Sequence, residues 1–150
     1  MTIQTPMTEQ QVLIHLMLAM AAADEAISDA ELSRVERLID FLPVFENFPP
    51  EDLDIVTESF VELMSVEEGL DSLMTLLANI LPDELHETAY ALAVEIAAAD
   101  LTVTPEELHL LDMIRDFLNV DKLAAAAIER GARDRFYKLP QRGMHSYKSQ

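Results

Sequence analysis

Residues 22–42 read AADEAISDAELSRVERLIDFL, and residues 98–118 read AADLTVTPEELHLLDMIRDFL. At an offset of 76, Asp24 falls on Asp100, Ile27 on Val103, Ser28 on Thr104, Glu31 on Glu107 and Leu32 on Leu108. Further along, Asp40-Phe41-Leu42 falls on Asp116-Phe117-Leu118. In each copy an alanine-rich run ends at the aspartate, a short turn follows, and Ser or Thr with Glu three residues later opens an amphipathic stretch. That last pattern is a capping box, in which side chains satisfy backbone N–H groups that a helix start leaves unpaired. The unit is an αα-hairpin, written twice.

Outward from these copies, helix starts are legible along the whole chain. Four capping boxes can be read, at Thr8-x-x-Gln11, Ser28-x-x-Glu31, Ser65-x-x-Glu68 and Thr104-x-x-Glu107. Pro50 and Pro82, each followed by two acids, suit the first helical turn, where a missing N–H costs nothing. Asp121 is a further cap. The spacing predicts seven helices, near 8–24, 28–42, 50–64, 66–81, 82–99, 104–119 and 121–138. Leu32, Val35, Leu38, Ile39 and Leu42 make one apolar stripe; Leu53, Val56, Phe60 and Leu63 make another; Leu70, Leu73, Leu77 and Leu81 a third. Val12–Ala23 is apolar all round except at His15, and Ala89–Ala99 except at Glu95, so these two segments belong at the centre. No segment alternates as a half-buried strand does. The expected fold is all-α, a single-domain bundle over residues 1–138 in which the two hairpins are related by a pseudo-two-fold and their alanine-rich helices touch. Residues 139–150 read as a flexible basic tail.

Composition narrows the function classes. The chain has 150 residues, half of them hydrophobic but only 6% aromatic, so the core is aliphatic, and the eight Met fill it. It has no cysteine, which excludes disulfides, thiolate metal sites and cysteine nucleophiles. The net charge is −18, and residues 130–150 hold six of the ten basic side chains against one acid, a local +5 that leaves −23 for residues 1–129. Such a body repels phosphate, so nucleic acid is not an expected partner; cations and basic protein surfaces are. The stretch from Gln10 to Ala23 is too short for a bilayer span of about 20 residues, and no basic region precedes it, so a cytoplasmic protein without membrane insertion is expected.

Chemistry, if present, is expected at the aspartates. Asp24 and Asp100 follow helix C-termini, where a carboxylate meets the negative end of the macrodipole at about 0.3–1 kcal/mol. One reading gives each Asp to the turn amides; the sharper reading has a divalent cation, calcium or magnesium, bridging Asp24 with Glu31 and Asp100 with Glu107. An EF-hand is excluded, since its sixth and twelfth positions hold Asp29 and Val35 in one copy and Pro105 and Leu111 in the other. His15 and Glu95 either meet across the interface of the central helices or reach the surface through gaps. His86 and His109 read as exposed and His145 lies in the tail. No HExxH, no pair of Glu-x-x-His motifs of the di-iron type, no His cluster and no GxGxxG, P-loop or GxSxG pattern occurs, so no enzyme is expected.

The pattern A-A-x-D-[G]-x-[IV]-[ST]-x-x-E, placed after an alanine-rich helix and present twice, resembles the tellurite-resistance TerB family over most of residues 10–120. Glu25 and Leu101 stand where the family usually has Gly, and a turn requiring positive φ would be strained by Leu101. The resemblance implies a small acidic cytoplasmic protein tied to tellurite and other stress resistance, working beside membrane-associated and cation-binding partners and without catalytic activity. The alternative is a metal-free interaction domain whose hairpins present a groove to a partner helix.

Overall fold

Thr8, Ser28 and Thr104 each start a helix in the computed structural model, which describes residues 6–24, 26–100 and 102–140. In all three the hydroxyl accepts the N–H three residues on while the Gln or Glu side chain accepts the cap's own N–H, so both halves of the box are made. The helices are α1 (Glu9–Ala21), α2 (Asp29–Phe41), α3 (Asp52–Met64), α4 (Gly69–Ile80), α5 (His86–Ala98), α6 (Pro105–Leu118) and α7 (Lys122–Arg135). Two 3-10 turns, Pro43–Phe45 and Asp83–Leu85, lie before α3 and α5. Among the described residues there is no strand, and the fold is all-α as expected.

The fourth predicted box is not made. A capping hydroxyl needs an extended backbone, whereas Ser65 is right-handed helical (φ −75°, ψ −13°) and its Oγ donates to the Glu62 carbonyl at 2.6 Å. Ser65 therefore closes α3, and α4 begins at Gly69. The proline starts are also displaced: α3 begins two residues after Pro50, and Pro82 precedes the 3-10 turn that runs into α5. Asp121 caps α7 as expected, its Oδ2 accepting from the Leu123 and Ala124 N–H groups.

The two all-apolar helices are central. Every residue of α1 from Val12 to Ala21 is buried, and α5 buries Ala89, Tyr90, Leu92, Ala93, Val94, Ile96 and Ala97. The two pack on each other; α1 also carries α2, α3 and α4, while α5 carries α6, α7 and one edge of α2. Contact between α4 and α6 closes the bundle. The amphipathic helices bury the predicted stripes, with Val35 and Ile39 of α2, Val56 and Phe60 of α3, and Leu73 and Leu77 of α4 turned inward. At about 1.5–3 kcal/mol for each fully buried large aliphatic side chain, this core is the main stabilising term. No described helix is long and apolar enough to cross a membrane. Residues 141–150, including His145, and the positions Glu25 and Leu101 lie outside the described residues, so the tail and the strain expected at Leu101 are not addressed by the structure.

Candidate functional site

Two of the four carboxylates singled out by the repeat, Glu31 and Glu107, have local partners. Glu31 Oε1 accepts the Ser28 N–H and Glu107 Oε1 accepts the Thr104 N–H, both at 2.9 Å. Asp24 is exposed, three residues beyond the last residue of α1. Asp100, just past the end of α5, has its Oδ1 3.9 Å from Nη2 of Arg34 on α2, with 77% of its side chain exposed. That contact ties the second hinge to the first hairpin, though an ion pair so open to water contributes at most about 1 kcal/mol. Among the described residues no three His, Asp or Glu side chains are grouped as a metal ion would need. Glu31 and Glu107 each have a hydrogen-bond partner within their own capping box.

A different feature sits at the end of the bundle where α1 stops. The last turn of α1 and its exit (Ala19, Ala22, Ala23) face the start of α6 across a cleft of about 540 Å³. Phe60 and Met64 of α3 and Leu70 of α4 make its apolar wall, while Glu106 and His109 of α6 stand on its rim. Small side chains at the α1 exit leave the space, and the α3–α4 turn holds the wall in place. In that turn a Cβ on Gly69 would lie 2.2 Å from the Leu63 carbonyl oxygen, so only glycine lets the two helices approach this closely. Acidic residues Glu67 and Glu68 in the same turn, and Glu106 at the rim, give the surround a negative charge.

The polar residues of the central helices do not meet each other. His15 is 1% exposed, and its Nδ1–H donates to the Gln11 carbonyl at 2.8 Å while Nε2 accepts the Ser59 hydroxyl of α3 at 3.2 Å. The carbonyl can only accept, which assigns the proton to Nδ1 in the neutral ring. Burial pushes the His15 pKa below its ordinary value, with the Gln11 hydrogen bond opposing. Glu95 instead pairs with Arg135 of α7. Of the two alternatives, the meeting does not occur, since each residue has a separate tie, and reaching toward the surface holds for Glu95 alone. His109 is exposed as expected. His86 is not: it is partly buried, with Nδ1 3.0 Å from the Leu118 carbonyl and Nε2 3.1 Å from the Leu81 carbonyl, linking the C-terminal ends of α6 and α4. Tyr90, buried on α5, donates to Glu129 of α7 at 2.5 Å. Burial first, then this hydrogen bond, raises its pKa well above the usual tyrosine range.

The cleft residues escaped the sequence reading. Phe60, Leu70 and Met64 sit in apolar stripes that reading assigns to core, and nothing local says that α1, α3, α4 and α6 leave a gap between them. The alanines at 22 and 23 are the one available signal, since small residues at a helix exit leave room. A family model described as "Tellurite resistance protein TerB" matches residues 10–130. No curated protein and no solved structure matches the chain.

Proposed function

The chain belongs to the TerB family, and on that premise we propose that it is a non-enzymatic module of tellurite and stress resistance that acts by binding a protein partner. The partner segment is a cationic amphipathic helix. Its apolar anchor enters the cleft between the α1 exit and the start of α6, and its basic side chains face the acidic rim. The cleft itself carries this reading: its walls are apolar, Glu106 stands on its rim, and it is set in a chain of net charge −18. Complementary charge steers such a segment and sets its register, while the apolar anchor supplies most of the affinity. Membrane-associated members of the same stress system are the natural source of such a segment. Function in the cytoplasm belongs to the same proposal.

A helical peptide of Leu–Lys pattern serves as the probe, titrated into the full chain and followed by amide NMR. Saturable shifts should centre on Ala22, Ala23, Leu70 and Glu106. Met64→Lys should abolish them, and Glu106→Lys should weaken binding about two- to fivefold, the range of a rim charge. Shifts spread over the acidic surface and indifferent to both changes would refute the cleft as the docking site.

A further inference from the structure

The cleft between the α1 exit and the start of α6 opens at the end of the bundle from which the chain leaves α7. Helix direction fixes this. Tyr90 of α5 bonds Glu129 of α7, and Glu95, farther along α5, pairs with Arg135, farther along α7, so the two helices run parallel. The C-terminal end of α7 therefore lies beside that of α5, and the short connection from α5 puts the start of α6 at the same end. One face of α6, with Leu108, Leu111 and Asp112, lines a hollow shared with α5 and α7. The neighbouring face, with Glu106, His109 and Leu110, lines the cleft. A chain leaving α7 has only the first turns of α6 to pass, a helix about 10–12 Å across with its side chains. Ten residues span at most about 33–36 Å, so residues 141–150 reach the cleft from Pro140 with length to spare.

The composition of that segment matches the cleft. Residues 136–150 hold Lys138, Arg142 and Lys148 and no acid, and Met144 and Tyr147 are apolar side chains among them. Tyr137 and Leu139 are 72% and 89% exposed, so the body leaves the departing segment uncovered. Among the described residues lining the cleft, Glu106 is the one carboxylate and none is Lys or Arg. Asp24, Glu67 and Glu68, close in sequence to lining residues, are exposed as well.

We propose that residues 141–150 occupy this cleft within the same molecule, as an autoinhibitory contact. Met144 enters between Phe60, Met64 and Leu70, while Arg142 and Lys148 face Glu106 and the Glu67–Glu68 turn. A segment tethered at Pro140 meets the cleft at an effective concentration on the order of millimolar, so weak contacts hold it. It covers the cleft until a partner helix displaces it. The contact stands on the geometry alone; its regulatory consequence rests on the cleft being the partner's docking site.

The chain has no cysteine, so Ser146→Cys carries a single nitroxide label. In the 150-residue chain without peptide, amide broadening should concentrate at Ala22, Ala23, Leu70 and Glu106 and persist on dilution. Arg142→Glu with Lys148→Glu, and separately Met144→Asp, should each abolish it. Either release should let the Leu–Lys peptide bind about three- to tenfold tighter, the factor by which an occupied site lowers apparent affinity. No broadening at the cleft, or broadening indifferent to both changes, would overturn the contact. Broadening that disappears on dilution would assign the cleft to a second copy and overturn it equally. Unchanged peptide affinity after release would overturn the covering role. A peptide that misses the cleft even after release, with the broadening intact in the native sequence, would support the contact and refute the partner reading alone.

Discussion

Glu31 and Glu107 offer one carboxylate each to two competing duties, and chemistry separates them. As the third residue of a capping box, either side chain needs only an oxygen that can accept the cap's N–H, which Gln supplies as well as Glu. As a cation ligand it needs the charge. Glu31→Gln and Glu107→Gln should therefore melt like the native chain, with or without millimolar calcium, while the Ala variants lose about 0.5–2 kcal/mol each. A calcium-dependent rise in melting temperature that the Gln variants abolish would restore the cation reading. His15 makes a second test at this scale. Its folded pKa lies below the ordinary 6.5, so the unfolded chain takes up its proton first as pH falls. Its contribution is full above about pH 6.5 and is lost below that, down through the folded value. Replacing it by Gln should make the stability difference from native shrink between pH 7 and pH 5, read by denaturant titration at each pH. A difference that is flat or widens toward acid would show that the ring is not held neutral. Tyr90 is held protonated by burial and Glu129, so the tyrosinate absorbance of native and Tyr90→Phe chains should coincide through about pH 10, where an ordinary tyrosine is half ionised.

Helix starts show where sequence reading succeeds and where it fails. At Thr8, Ser28 and Thr104 the information is local: a hydroxyl, an acceptor three residues on, and an apolar run. At Ser65 the same letters occur, but the decision belongs to tertiary packing, because α3 and α4 must approach closely enough to wall the cleft. Glycine at 69 permits that approach, and the helix waits for it. His86 illustrates the same limit. Its ring bonds depend on the ends of α4 and α6, 32 residues apart in the case of Leu118, and local hydropathy carries no trace of that. The central placement of α1 and α5 was legible because an all-apolar helix has nowhere else to go; the cleft was not, because it is made by residues from four helices. Gly69→Ala should accordingly destabilise the chain by about 2–3 kcal/mol, where a Gly→Ala change at an uncrowded helix position would instead stabilise it by about 0.4–1 kcal/mol. Chemical denaturation measures it. A neutral or stabilising result would mean that the α3–α4 turn opens freely, and the wall of the cleft with it.

For the whole molecule, charge is the dominant long-range term. A net −18 on a compact body repels itself, and the described ion pairs are few and half open to water. Unfolding spreads those charges apart, so self-repulsion opposes the folded state. The Debye length falls from about 30 Å at 0.01 M salt to about 3 Å at 1 M, so added salt removes repulsion across the body before it touches close pairs such as Glu95–Arg135. The melting temperature should therefore rise steeply with sodium chloride from about 0.01 to 0.2 M and level off beyond, where only contacts at bonding distance remain unscreened. Calcium should act no differently from magnesium at matched ionic strength if screening is the whole effect. The same repulsion gives the acidic surface its use, because it holds off other acidic proteins while a basic segment gains by approaching. Binding of the Leu–Lys peptide should weaken over the salt range that stabilises the fold. If salt instead lowered the melting temperature, local ion pairs would outweigh repulsion, and the charge argument for a basic partner would fail with it.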